Sequence, residues 1–152
     1  MVQSCPMTQS NFLFELWQQP NFRAVNKFYR SQKHKGSASG EEQVFVVWDT
    51  KETENTLVGA VRLVPYEDYF WLRGLYIHED LRGKGLGHQL LRTVQSHISL
   101  PIHCFPYTHL KSFYSKAGYV NTPAAELPIS LQQLYERYSN KGETLLSMSL
   151  FP

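Results

Sequence analysis

The segment from Leu75 to Gly87 does more than any other to limit what this chain can become. It reads Leu-Tyr-Ile-His-Glu-Asp-Leu-Arg-Gly-Lys-Gly-Leu-Gly and leads out of an apolar, aromatic run. The next stretch is amphipathic: across His88 to Ser99, residues Leu90, Leu91, Val94 and Ile98 form one apolar stripe at helical spacing. A strand must therefore pass through glycines directly into a helix. A helix start leaves about four backbone N–H groups without intrahelical partners and carries about half a positive charge. Glycines at 83, 85 and 87 remove the Cβ atoms that would hold a ligand off those groups, and Arg82 and Lys84 add cations at the same place. The residues describe a cradle for an anion, and a phosphate suits it.

Spacing excludes two other glycine loops. A Walker loop needs Gly five residues before its Gly-Lys pair and Ser or Thr after the Lys, but those positions hold His78 and Gly85. A dinucleotide fingerprint needs G-x-G-x-x-G with an acidic residue about twenty positions on. Here the order is Gly83-x-Gly85-x-Gly87, with Tyr107 near the later position.

The rest of the chain reads as one domain over residues 1–152, with no internal repeat and no dividing linker. Lys35 to Gly40 is the clearest loop. Before it, Phe22, Val25 and Phe28 or Tyr29 recur at helical spacing, with Pro20 placed for a first turn. The aromatics Phe12, Phe14, Trp17, Phe22, Phe28 and Tyr29 are expected to serve a helix core, the other use being the wall of an acceptor pocket. Strands are expected at Gln43–Trp48, Leu57–Val64 and Tyr69–Ile77, joined by short polar turns in an antiparallel meander. After the stripe helix come a strand at Pro101–Phe105 and a helix at Thr108–Ala117, capped by Thr108 and stopped by Gly118. A short strand at Tyr119–Asn121, a helix at Ile129–Tyr138 and a strand at Thr144–Leu150 complete the order. The fold class is α+β.

Composition narrows the function classes. The longest apolar runs are five or six residues, far short of the roughly 18 that cross a bilayer, so no membrane partner is expected. Residues 1–10 lack a basic region followed by an apolar one, and Cys5 and Cys104 form no C-x-x-C pair, so the cytoplasm is the expected compartment. The six histidines show no ligand spacing, and no metal is expected. A net charge of +2 is too small to imply nucleic acid; Arg23, Lys27, Arg30, Lys33 and Lys35 read as a solvated helix face.

The pattern Arg82-x-x-Gly85-x-Gly87, placed between strand and helix, resembles the pyrophosphate loop of the GCN5-related N-acetyltransferase (GNAT) superfamily. Phe113-Tyr114-Ser115-Lys116-Ala117-Gly118-Tyr119 resembles that family's second signature, in the same order and at about the same separation. The resemblance implies a mixed, mostly antiparallel central sheet flanked by helices, with acetyl-CoA as co-substrate and an amine as acceptor. Leu75, Tyr76 and Ile77 would pair their backbone with the pantetheine arm, while Arg82, Gly83, Lys84, Gly85, Leu86 and Gly87 would hold the diphosphate. Tyr114 takes the position of the family's general acid; a phenol near pKa 10 is protonated at neutral pH and can donate to a departing thiolate.

The base that deprotonates the amine has two main candidates, His103 on the preceding strand and Glu79 at the mouth of the loop, with His78 beside it. One departure stands out, because many members carry Asn seven residues before the motif tyrosine and this chain carries Tyr107. An acyl-CoA binder or sensor without catalysis is therefore the alternative reading. The acceptor, a small molecule or a peptide, is not legible, and a homodimer is left open.

Overall fold

The computed structural model describes residues 7–9, 11–142 and 144–152. They divide into two compact units: the chain up to Pro65 with Leu72–Ser99, and Tyr66–Trp71 with Leu100–Pro152.

The first unit holds β1 (Met7–Gln9), β2 (Phe12–Leu16), α1 (Arg23–Ser31), β3 (Gln43–Asp49), β4 (Thr56–Pro65), most of β5 (Phe70–Ile77), a 3₁₀ turn at Glu79–Leu81 and α2 (Leu86–His97). Strands β1 to β4 pair antiparallel with their neighbours in chain order, and β5 lies beside β4. Val44 to Val47 of β3 are all buried, which breaks the usual in-out alternation. The cause is a helix on each face. Val44, Val46 and Ala60 pack with Val25, Phe28 and Tyr29 of α1, while α2 packs on β2, β3 and β4, with Phe45 edge-on to His97 at 5.3 Å. The α2 stripe is as expected: Leu90, Leu91 and Val94 are fully buried. Each such side chain contributes about 1.5–3 kcal/mol on leaving water.

In the second unit the first two residues of β5 pair in parallel with β6 (Ile102–Cys104), through Phe70↔Ile102 and Trp71↔His103. β6 pairs antiparallel with β8 (Met148–Leu150), which in turn pairs with β7 (Val120–Asn121). A 3₁₀ turn at Thr108–Leu110 precedes α3 (Lys111–Lys116), and another at Ala124–Glu126 precedes α4 (Ile129–Ser139). The strand order β1-β2-β3-β4-β5-β6-β8-β7, with its parallel register at β5–β6, gives the mixed, mostly antiparallel sheet expected from the sequence.

Four local expectations are corrected. Phe12 and Phe14 lie on strand β2, not in a helix, and both are buried; their spacing of two was the signal. Pro20 stands outside α1, whose start is instead tied by Asn21, the side-chain Oδ1 accepting the Arg23 N–H at 2.9 Å. Thr108 makes no cap, because the chain first winds through a 3₁₀ turn and the helix proper begins at Lys111. The last strand is confined to Met148–Leu150, with Leu145 in an isolated bridge to Tyr107.

Candidate active site

The glycine loop is built as its sequence demands. Gly83 and Gly85 have φ of +82° and +81°, a region that L side chains rarely adopt, and Gly85 caps α2. The α2 ladder starts with Gln89 N–H donating to Gly85 C=O at 3.1 Å, so the amides ahead of it head the helix, where a helix has no carbonyl four residues back to offer them. A Cβ placed on Gly83 or Gly85 would meet nothing within 4 Å among the described residues. Nothing among the described residues therefore needs these glycines small; the backbone conformation does.

Arg82 joins this loop to β5. Its Nε donates to the Ile77 carbonyl at 3.0 Å and its guanidinium lies 4.7 Å above the Tyr76 ring. The 3₁₀ turn between them is capped by His78, whose Nδ1 accepts the Asp80 N–H at 3.1 Å, and Glu79 and Lys84 are exposed. The strand bends just upstream. Gly74 has φ of +68°, and its carbonyl accepts a 2.6 Å hydrogen bond from the Tyr29 hydroxyl. Burial pushes the Tyr29 phenol well above its ordinary range, so it remains a donor. A Cβ at Gly74 would come 2.9 Å from Arg62 Nε, so the bend also makes room for that buried guanidinium. Arg62 in turn donates to the Ser37 carbonyl and pairs with Glu42 at 3.4 Å, which ties the Lys35–Gly40 loop to β4. The isolated glycine in an apolar strand pattern was the one sequence sign of this arrangement.

The second unit carries the other candidates. His103 and Ser149, on β6 and β8, are buried and face each other across the register His103↔Ser149, with Nδ1 2.6 Å from the Ser149 hydroxyl. The Thr122 hydroxyl lies 2.7 Å beyond Ser149. The ring of Tyr69 stands edge-on to His103 at 5.6 Å and that of Phe151 at 6.0 Å. Burial lowers the His103 pKa below the usual imidazole value, so the ring is neutral at neutral pH. An imidazole in that state can take a proton.

Tyr114 sits on α3 with its ring between Phe113 and Tyr119, at 5.1 and 5.5 Å. Burial raises its pKa, and the neighbouring Cys104 and Tyr119 push in the same direction. The phenol is held protonated, as a proton donor must be. Gly118, at φ +97°, ends the helix and turns the chain so that Tyr119 N–H bonds back to the Tyr114 carbonyl at 3.1 Å. Cys104, next to His103 in sequence, has different neighbours, and burial raises its thiol pKa, which argues against a thiolate nucleophile. Tyr107 is exposed and stacks on His109 at 5.9 Å.

A family model described as an acetyltransferase (GNAT) domain matches residues 40–121, more than half of the chain. No curated protein matches the sequence. Among solved structures, the chain is similar to a putative N-acetyltransferase from Lactobacillus plantarum at 16% identity and a TM-score of 0.64, covering 91% of this chain and 97% of that one. It is similar to the ribosomal-protein-S18-alanine N-acetyltransferase from Escherichia coli at 12% identity and a TM-score of 0.62, covering 91% and 92%. The N-acetylglutamate synthase of Neisseria gonorrhoeae, solved with coenzyme A and N-acetyl-glutamate, matches at 13% identity and a TM-score of 0.64 over 90% of this chain. The chain spans about a third of that synthase's length, 34%. At these identities the likeness is one of fold.

Proposed function

Since the chain belongs to the GNAT acetyltransferase family, we propose that it moves an acetyl group from acetyl-CoA to a primary amine by direct attack. The observation that carries the reading is the left-handed Gly83–Gly85 loop heading α2, with open space at both glycine Cβ positions among the described residues. The amides at the head of α2, with Arg82 and Lys84, suit the diphosphate of coenzyme A. The backbone of Leu75, Tyr76 and Ile77, fixed at one end by Tyr29 and at the other by Arg82, offers a preformed edge for the pantetheine arm.

The chemistry needs a neutral amine, and His103 Nε2 takes the proton that the amine loses. The nitrogen lone pair attacks the thioester carbon; the tetrahedral adduct collapses, the C–S bond breaks, and the thiolate takes the Tyr114 proton. Solvent restores both groups. Glu79, exposed on its turn, is the lesser candidate for the base. Acceptors of small-molecule and peptide kind both fit, since the similar proteins include a synthase of N-acetylglutamate and an enzyme of a ribosomal-protein alanine.

The test is a panel of amino acids, polyamines and peptides offered with acetyl-CoA while free thiol is followed. Turnover is expected with at least one acceptor, and Tyr114→Phe is expected to lower kcat roughly a hundredfold with acetyl-CoA binding retained. Equal rates for the variant would remove Tyr114 from the role of acid. Coenzyme binding with no turnover on any amine would favour an acyl-CoA-binding protein without catalysis.

A further inference from the structure

The hydroxyls behind His103 form a chain with a direction. The Thr122 hydroxyl has one proton and two acceptors in reach, Ser149 Oγ at 2.7 Å and the Val120 carbonyl at 3.4 Å. Two proton arrangements fit the same heavy atoms. In one, Thr122 donates to Ser149, Ser149 donates to His103 Nδ1, and the imidazole proton sits on Nε2. In the other, Nδ1–H donates to Ser149, Ser149 donates to Thr122, and Thr122 donates to the Val120 carbonyl; Nε2 then carries the lone pair.

Two considerations favour the second. A carbonyl can only accept, so Val120 offers the Thr122 proton an end to the chain, although its 3.4 Å contact is long beside the 2.7 Å to Ser149. Among the described residues the ring's hydrogen bond is to Ser149, so a proton on Nε2 would have no acceptor from the protein, and His103 is only 4% exposed. An unpartnered buried N–H costs more than an unpartnered lone pair.

We propose that Ser149 and Thr122 are positioning residues that hold His103 as its Nδ1–H tautomer, with Nε2 open to receive the proton of the acceptor amine. They act through His103 and touch no substrate. The titratable ring that faces His103 is Tyr69; Ser149 and Thr122 carry no charge. The catalytic part of this assignment rests on the acetyltransferase reading, whereas the tautomer can be observed in the free protein.

Long-range proton–nitrogen correlation NMR of the His103 ring near pH 7.5 tests it. The unaltered protein is expected to show a protonated Nδ1 and a bare Nε2. In Thr122→Val, Ser149 loses its acceptor and can donate only to Nδ1, so the ring is expected to switch to the Nε2–H form. With it kcat/KM for the amine should fall roughly tenfold at unchanged KM for acetyl-CoA, and Thr122→Ser should restore both. An Nε2–H ring in the unaltered protein, or an unchanged tautomer and rate in Thr122→Val, overturns the proposal. Should Thr122→Val not fold, Ser149→Ala reads the same point: a mixture of tautomers is expected, and a single Nδ1–H form overturns it. A correct tautomer without any turnover would count against the acetyltransferase reading alone.

Discussion

Burial shifts a small set of groups in this molecule, Tyr29, His34, His103, Cys104, Tyr114 and Tyr119, and the two perturbed imidazoles show its consequence for stability. His103 titrates below the usual value of 6.5 because it is desolvated; His34 does so because it is desolvated and lies in the field of Arg62 and Arg73. Between 6.5 and those lowered native values the unfolded chain binds protons that the folded chain refuses. The stability these two residues contribute is therefore complete above pH 6.5 and is lost as the pH falls towards their native pKa values. Urea denaturation at about pH 7.5 and 5.5 should show a lower midpoint in acid. The difference should shrink in His34→Gln. Equal midpoints would mean that both rings exchange protons as freely in the native state as in the unfolded chain.

At the scale of elements, α2 serves the site and the core at once. Its first turn heads the glycine cradle, and one turn further on Leu90 and Leu91 enter the sheet face beneath it. Leu90→Ala removes a fully buried side chain and should cost about 2–5 kcal/mol, read as a fall in Tm, with the left-handed glycines untouched. A loss under about 1 kcal/mol would mean the helix is seated elsewhere. This helix was legible because a stripe and a glycine loop are local patterns. So was the end of α3, which needs the positive φ that Gly118 supplies, though not its start at Lys111. β2 was misread because five residues of a strand edged by aromatics carry too few periods to separate two from 3.6, although Phe12 and Phe14 are both buried. His103 was a candidate in the sequence, but its partners Ser149 and Thr122 left no mark there. Residue 103 meets residue 149 only because β8 returns beside β6, and no spacing within either strand announces that pairing.

For the whole molecule, the family match ends at residue 121, while the strand that supplies Ser149 begins at Met148. The cradle, by contrast, lies wholly inside the matched segment, so it makes the firmer prediction about how the entire chain responds to a ligand. A net charge of +2 offers only slight general attraction to an anion, so in the proposed reading affinity comes from the amides of α2 with Arg82 and Lys84. A ligand that binds only the folded chain raises its stability by about 2.7 kcal/mol at a hundred times Kd. For a chain near 150 residues that is roughly 5–10 °C in Tm. Coenzyme A should produce such a shift, and pantetheine, which keeps the thiol arm but lacks the diphosphate, should produce almost none at the same concentration. Replacing Gly85 by Ala strains a φ of +81° and puts a methyl group into the open face of the loop, so the response to coenzyme A should fall in that variant while its own Tm drops by only a few degrees. If pantetheine protected the chain as well as coenzyme A does, the diphosphate would contribute nothing, and the head of α2 would be a helix start like any other.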